Sequence, residues 1–572
     1  MSSTEQSLPH LLRFQIGPVQ DFIAQARNTR DLWSGSFLLS WLAATGIRHL
    51  RKQRGAEFIF PNPEHQPLLN ELFRAKDLKT LLTPSLPNIF VALLREGDAR
   101  QIAKETADAI TREWKNIATA VWDEGRSLGL RDRVKERFDS QVDRHLSITW
   151  QATPVTGDDL PAYPRDYRLN SRQLDAVRQT RDFRAWNSGG WQTTDCEKDS
   201  LSGREEAVVG GPDWHDSVSE RYQRFFKHPN DHLGAVNLIK RVWHQAYLSK
   251  KEAFAEPIQK FKIRSTLAIA SRGKQTSDDE DVSLTTSEKY LAAIAFDGDS
   301  MGKWMSGEFL EEEADLRGHH RAFSTCLSHF ATNKVRDIVE KDHAGFLIYA
   351  GGDDVVALVP ADEALACSRA IREAFRAATA EIQGRDQDKR PIQPDASAGI
   401  AIAHYKTPLQ DLIRAAQAAE KKAKNNGRSA FSVTLMKRSG EGETWGAKWD
   451  SGGLELHEDI SAAMSQGHLS GRFPHRVSEL LEPYQTVDSH TGRYPNDPHF
   501  KAHSIISLEF AHVLDRQNPG KTALPLATDL TRYLQKIGDD PQTCLRDVIG
   551  LCKTVVFTRR NRAPSASLTP QD

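Results

Sequence analysis

No stretch of this 572-residue chain is apolar over the roughly 20 residues that a membrane span requires. Cysteine is scarce: Cys196, Cys326, Cys367, Cys544 and Cys552 lie far apart, without the pairing logic of a disulfide scaffold, which suits a reducing compartment. An excess of either charge is also missing, since 76 Lys and Arg face 77 Asp and Glu for a net charge of −1. A free-standing RNA binder is usually basic, so any RNA contact here is expected to be shared with neighbouring subunits. The opening MSSTEQSLPH lacks the basic start and apolar core of a secretory signal. Together these absences predict a cytoplasmic protein with no membrane partner. The length predicts three to four domains at about 150 residues each.

Against this plain background one tetrapeptide stands out, Gly351-Gly352-Asp353-Asp354. It lies between FLIYA (346–350) and VVALVP (355–360), each with the length and β-branched or aromatic content of a strand. The glycine pair is expected to supply the positive φ angles of a tight hairpin. Two adjacent carboxylates at such a tip repel each other unless a cation neutralises them. Upstream, the apolar strand LAAIAF (291–296) runs into Asp297-Gly298-Asp299-Ser300-Met301-Gly302. Downstream, DASAGIAIA (395–403) reads as a further strand, followed by a helix over 408–426 that Gly427 closes. A lone GGDD is often only a turn, but this ordered set of strands, acids and a Lys-rich helix points to a nucleotide and metal site.

Residues 291–436 resemble the GGDEF/palm domain of nucleotidyl cyclases. More narrowly, DGDSMGKW with YAGGDD looks like the catalytic palm of the large polymerase-like subunit of type III CRISPR effector complexes. The segment FQIGPVQDFIAQARNTRDLWSGSFLLSWL (14–42) resembles the first-palm signature of the Cmr-type (III-B) large subunit, with further matches at 59–63, 86–94, 233–241 and 261–270. The resemblance implies an RNA-activated cyclic oligoadenylate synthase that uses ATP and two Mg²⁺ or Mn²⁺ ions. It also implies association with other Cmr-type subunits, guide RNA and target RNA. Carried onto this chain, Asp297 and Asp353 hold the metals, with Asp354 and Asp299 as additional ligands or supporting acids. Gly298, Ser300 and Met301 are expected to form a backbone nest for the triphosphate beside Gly351 and Gly352. Lys421 or Lys424 is expected to offset phosphate charge, and Ser397 to contact base or phosphate or simply to pack. The preference for adenine comes from the resemblance alone.

The expected fold class is α+β: two ferredoxin-like palms (1–155 and 288–437), an intervening mixed domain (156–287) and a C-terminal helical bundle with a disordered tail (438–572). In the first palm we expect a strand at 11–17, a helix from about Val19 to Ala44, strands near 58–61 and 88–94, and a helix from Asp98 to about Leu128. GPVQ and Asn28-Thr29-Arg30 occupy the place where this fold could touch a second nucleotide; the alternative is that Arg27 and Arg30 merely bridge the first palm to its neighbour. Residues 271–288 read as a flexible linker and 437–452 as a linker or partner-contacting loop. Relatives often carry a zinc module in the middle region, where only Cys196 remains here with His215 as a possible second ligand; no zinc is expected, because a closed site needs four ligands. The chain starts at the first palm strand and His215-Asp216 stands alone, so no HD-type nuclease activity is expected. The rivals are a catalytically silent scaffold subunit and, less favoured, a diguanylate-cyclase-like enzyme.

Overall fold

A computed structural model describes residues 8–53, 55–69, 81–156, 162–180, 197–274, 284, 287–311, 314–437, 442–485, 501–518 and 520–560. Cys196, most of the expected 271–288 linker and the C-terminal tail lie outside the described residues.

The first palm is one four-stranded antiparallel sheet. Its strands are β1 (His10–Gly17), β2 (Ala56–Phe60), β3 (Ile89–Leu94) and β4 (Ser147–Pro154), in the order β2-β3-β1-β4. With one helical crossover after β1 and another after β3, this is the split βαβ arrangement of a ferredoxin-like fold. Period-two alternation in β1 sends Leu12, Phe14 and Ile16 to the main core and Leu11 to the opposite face. The single helix expected after β1 is two, Gln20–Ala24 and Thr29–Arg51. The break occurs because Asn28 is extended and its side chain accepts a hydrogen bond from the Asp31 N–H at 2.9 Å, which starts a new helix. The next helix runs Ala99–Asp123, with the Asp98 carboxylate capping the Arg100 and Gln101 amides. Strand β4 has no counterpart in the sequence-based expectation, although Ile148, Trp150 and Ala152 alternate with polar residues along it and pack against the main core.

Part of the middle region packs directly on this palm. The short strands β5 (Val209–Gly210) and β6 (His232–Leu233) pair with each other and lead into helix Ala235–Ala246. That helix is buried along almost its whole length, and its apolar residues join the same core as Thr29–Arg51 and Ala99–Asp123. It also carries Arg241, which donates two hydrogen bonds to Asp31 (2.9 and 2.7 Å) and one to Asp231 (3.1 Å). Arg27 completes the cluster on Asp231, and Lys240 donates to the Phe22 carbonyl at 2.8 Å. Burial opposes ionisation of Asp31, yet the Arg241 guanidinium holds its carboxyl below the usual range.

The second palm begins at β7 (Tyr290–Gly298) and continues through β8 (Phe346–Gly351), β9 (Asp354–Pro360), a small β10–β11 ladder (Gly384–Arg385 and Pro391–Ile392), β12 (Ala396–His404), β13 (Ala430–Met436) and β14 (Gly442–Lys448). The six long strands form one sheet in the order β14-β13-β12-β7-β9-β8. Its β12-β7-β9-β8 portion repeats the ferredoxin-like order of the first palm. Beyond it, β13 is added parallel to β12 through helix Leu409–Asn425, and β14 antiparallel to β13. The expected loop over 437–452 is therefore corrected: Gly442–Lys448 is a paired edge strand, its signal masked by glycine and by its half-exposed side chains. Alternation along β7 splits the sheet's faces. Leu291, Ala293 and Ala295 face the core shared with the first palm. Ala292, Ile294 and Phe296 face helices Leu316–Asn333 and Ala364–Ala378 and a core continuous with the C-terminal bundle.

That bundle comprises helices Gly453–Ser465, Phe473–Leu481, Ala502–Gln517, Pro525–Ile537 and Pro541–Arg560, as the three- and four-residue apolar spacing predicts. None of the described helices is long and apolar enough to cross a membrane.

Asp31→Ala would strand the buried Arg241 and Lys240 charges, and should lower unfolding free energy by about 3–5 kcal/mol. Chemical denaturation of the purified chain checks this; a loss below about 1 kcal/mol would show that the cluster does not tie the middle region to the palm.

Candidate functional site

The site forms where the end of β7 meets the β8–β9 hairpin. Gly351 pairs with Asp354, so Gly352 and Asp353 are the two turn residues. Gly352 has φ +84°, the left-handed conformation that glycine adopts without penalty. Gly351 lacks a positive φ, which corrects the expectation that both glycines supply one. Its requirement is space instead, since a Cβ there would run into the Tyr349 phenol folded over it. On the neighbouring strand, the register Phe296↔Val355 extends to set Asp297 beside Asp354. A Cβ on Gly298 would stand 3.0 Å from the Cβ of Asp353, so the bare glycine lets the turn close against the strand end. The structure thus brings Asp297, Asp353 and Asp354 together.

Crowding these acids has an electrostatic consequence. Burial, then the charge on Asp297, pushes the Asp353 carboxyl up to about 7. Burial together with Asp297, Asp353 and Glu420 holds Asp354 well above the ordinary carboxylate range. The same environment keeps Tyr349 protonated. Among the described residues the cation paired with this cluster is Lys424, which forms an ion pair with Asp297 and a second with Glu420 at 2.9 Å. Burial works against the Lys424 ammonium, but Asp297 and Glu420 outweigh it and raise its pKa.

Lys424 reaches the strand because helix Leu409–Asn425 lies directly on β12. A Cβ on Gly399 would collide with the Ala416 carbonyl and the Glu420 amide, so glycine is what permits this approach. Lys421, by contrast, is exposed on the same helix. Gly427 follows with φ +86°, as a helix-ending glycine should.

Asp299 faces a different set of partners. Its carboxylate accepts from Ser397 Oγ (2.8 and 3.0 Å) and from the Ser429 amide (2.7 Å), and its own amide donates to the Asp395 carbonyl at 2.8 Å. Asp395 in turn binds Arg372 through two hydrogen bonds of 2.8 and 2.7 Å and accepts from Arg376 and Ser429. This network pins the ends of β7, β12 and β13 together behind the acids. Ser300 takes a left-handed φ of +56° and Met301 opens the helix Met301–Ser306, turning the chain sharply away beyond Asp299. Sequence reasoning missed Tyr349, Glu420 and Asp395. Of these only Asp395 left a signal, as an acid directly before a strand.

A cavity of about 590 Å³ opens in front of Asp354. Its other wall belongs to the first palm: Gln15 to Gln20, which includes the GPVQ segment, with Asn88 and Thr149. Arg27 and Arg30 are not part of that wall. Arg27 binds Asp231, and the Arg30 guanidinium lies 4.5 Å over the Phe225 ring, so both bridge the palm to the middle region. His215 is engaged by the Phe226 carbonyl at 2.7 Å.

Among the described residues, no three acidic, histidine or cysteine side chains stand gathered as a ready-made metal cage. The donor set nevertheless fits a hard divalent cation, because Asp297, Asp353 and Asp354 offer only carboxylate oxygens and carry charge that Lys424 offsets in part.

Two segments of the chain match known family models. Residues 290–432 match the family model described as Cas10/Cmr2, second palm domain, and residues 11–119 match that of CRISPR-associated protein Cmr2, N-terminal. A curated relative, CRISPR system Cmr subunit Cmr2 of Pyrococcus furiosus, is 25% identical over 558 residues, covering 76% of this chain and 62% of the relative. The chain therefore spans about three fifths of that relative's length. A similar fold is found in the solved Type III-B Cmr-beta bound to cognate target RNA (TM-score 0.64, 13% identity, 91% of this chain and 79% of that one). Another is the Csm1–Csm4 cassette in complex with cA4 (TM-score 0.51, 13% identity, 96% and 70%).

The acid cluster sets a pH dependence. Asp353 binds its proton more tightly folded than unfolded, so its contribution to stability is complete below about pH 4 and is lost as pH rises through about 7. In metal-free protein, Asp353→Asn should remove a decline in melting temperature between about pH 5 and 8. Parallel wild-type and variant curves over that interval would contradict the assignment.

Proposed function

We propose that this chain, a member of the Cas10/Cmr2 family through both matched domains, joins ATP molecules into cyclic oligoadenylates. It would do so as the large subunit of a type III-B CRISPR antiviral effector complex, switched on when target RNA pairs with a guide RNA. The observation that carries this reading is the convergence of Asp297, Asp353 and Asp354 at one corner of the second sheet, where Asp354 lines a cavity otherwise walled mainly by the first palm. That two structures of similar fold are Csm1–Csm4 cassettes in complex with cA4 and with AMPPNP supports the nucleotide class.

In this reading Asp297 and Asp353 hold two Mg²⁺ or Mn²⁺ ions, with Asp354 beside them. When bound, such ions supply charge that lowers the pKa of an attacking hydroxyl and steadies a leaving pyrophosphate. The protein's own part is positioning and neutralisation. Gly298 lets the turn close against the strand end, Gly351 leaves room for Tyr349, and the backbone at Ser300 and Met301 borders the triphosphate. Lys424 turns from Asp297 to phosphate when ATP enters. Asp299 and Ser397 hold the strand ends rigid behind the reacting groups. The first-palm wall at Gly17 to Gln20 receives the second nucleotide, whose 3′-hydroxyl then faces the α-phosphorus of the first. No side-chain nucleophile is required.

A second reading, a silent scaffold, draws on the Lys424–Asp297 pair, which neutralises one acid without any metal. The assembled complex supplied with labelled ATP, Mg²⁺ or Mn²⁺ and target RNA separates the two. Wild type should form cyclic product, and Asp353→Ala with Asp354→Ala should reduce it at least about a hundredfold while assembly is retained. No product from wild type, or full turnover by the double variant, would overturn the cyclase reading.

A further inference from the structure

Strand β8, which leads into the acidic hairpin, is the outermost strand of its sheet. An edge strand presents unpaired backbone groups, and its position is less determined than that of an inner strand. A register shift between Leu347 and Tyr349 loosens β8 further, just before Gly351. The first palm supplies a partner at this point. The Ala350 N–H donates to the Pro84 carbonyl at 3.0 Å, one residue before the hairpin that carries Asp353 and Asp354.

The stretch 81–88 that contains Pro84 is itself held from two directions. Helix Thr29–Arg51 contributes the Trp33 indole, which donates to the Leu82 carbonyl at 3.0 Å, and the Ser40 hydroxyl, which donates to the Leu86 carbonyl at 3.2 Å. From the other side, Ser85 Oγ donates to Gln66 Oε1 at 3.0 Å, and Gln66 Nε2 donates to Ser328 Oγ at 3.2 Å. Ser328 lies on helix Leu316–Asn333, which packs on the opposite face of the second sheet. Ser85, Gln66 and Ser328 are all buried, so each of these hydrogen bonds is shielded from competing water.

We infer that stretch 81–88 of the first palm is a positioning element for the acidic hairpin. The Pro84 carbonyl, held by the Ser85–Gln66–Ser328 chain, sets where Asp353 and Asp354 stand relative to Asp297. Docking of the first palm thereby determines whether the three acids are in register. Ser85, Gln66 and Ser328 are positioning residues, since they touch neither the acids nor the cavity in front of them. The activity consequence rests on the cyclase reading above; the structural consequence does not.

Hydrogen–deuterium exchange of the full chain, read on peptides that cover Ala350, tests the inference without any activity. Ser85→Ala and Ser328→Ala should each speed exchange at Ala350 about three- to tenfold, the effect of one shielded hydrogen bond. Ser324→Ala is the control: it removes the hydroxyl that accepts from the Asn62 amide at 2.7 Å, at the same interface but outside the chain of contacts to Pro84. It should leave Ala350 unchanged. Unaltered exchange in both test variants, or an equal rise with Ser324→Ala, overturns the inference. In the assembled complex the two test variants should lower kcat several-fold at unchanged KM for ATP. Absence of product from wild type would count against the cyclase reading, whereas the exchange result alone decides the positioning role.

Discussion

Three carboxylates are forced together at one corner of a sheet, and most of the surrounding architecture serves that arrangement. Like charges at close range cannot all stay ionised in a partly desolvated site unless a cation joins them. The fold brings them together regardless, by hairpin register on one side and by the end of β7 on the other. Glycine makes the approach possible at each contact: Gly298 under Asp353, Gly351 beneath Tyr349 and Gly399 beneath the helix that delivers Lys424. The polar network from Asp299 through Ser397 and Ser429 to Asp395 and Arg372 then holds the strand ends rigid. The result is a site that is under-neutralised by design and open to a cavity.

The two palms are similar in strand order but differ in what covers their sheets. The second sheet is apolar on both faces, so it is enclosed by its own helices and the C-terminal bundle on one side and by the first palm on the other. Enclosure on both faces explains why its central strands read as continuous apolar runs, and it fixes the acidic corner against the first palm. A buried Asp31–Arg241–Asp231 cluster ties the middle region to the same palm. The geometry of the acids is in this sense a property of the whole assembly of layers.

Much of this was legible in the chain itself. The strands around GGDD, the strand ending at Asp297 and the helix closed by Gly427 follow from local patterns of apolar spacing, glycine and acid, and the pair of palms from the family resemblance of 14–42 and 291–436. The details that depend on distant partners were not legible. Strand β14 has glycine at two of its seven positions, whereas β4 was overlooked despite the alternation of Ile148, Trp150 and Ala152 with polar residues. Glu420 and Tyr349 look like ordinary helix and strand residues until packing turns them toward the acids. Arg30 reads as a possible anion ligand, yet its guanidinium is spent on the Phe225 ring. The role of Gly351 was misread because sequence reports that a glycine is present, while only the neighbouring Tyr349 shows whether conformation or space requires it.

The central claim is that this corner exists to grip divalent cations. Anomalous diffraction from crystals of the protein soaked with Mn²⁺ and a non-hydrolysable ATP analogue addresses it most directly. The account predicts Mn²⁺ peaks roughly 2.0–2.2 Å from carboxylate oxygens of Asp297 and Asp353, with Lys424 displaced from Asp297 toward phosphate. Nucleotide bound with no anomalous peak at these acids, and with Lys424 still paired to Asp297, would contradict it.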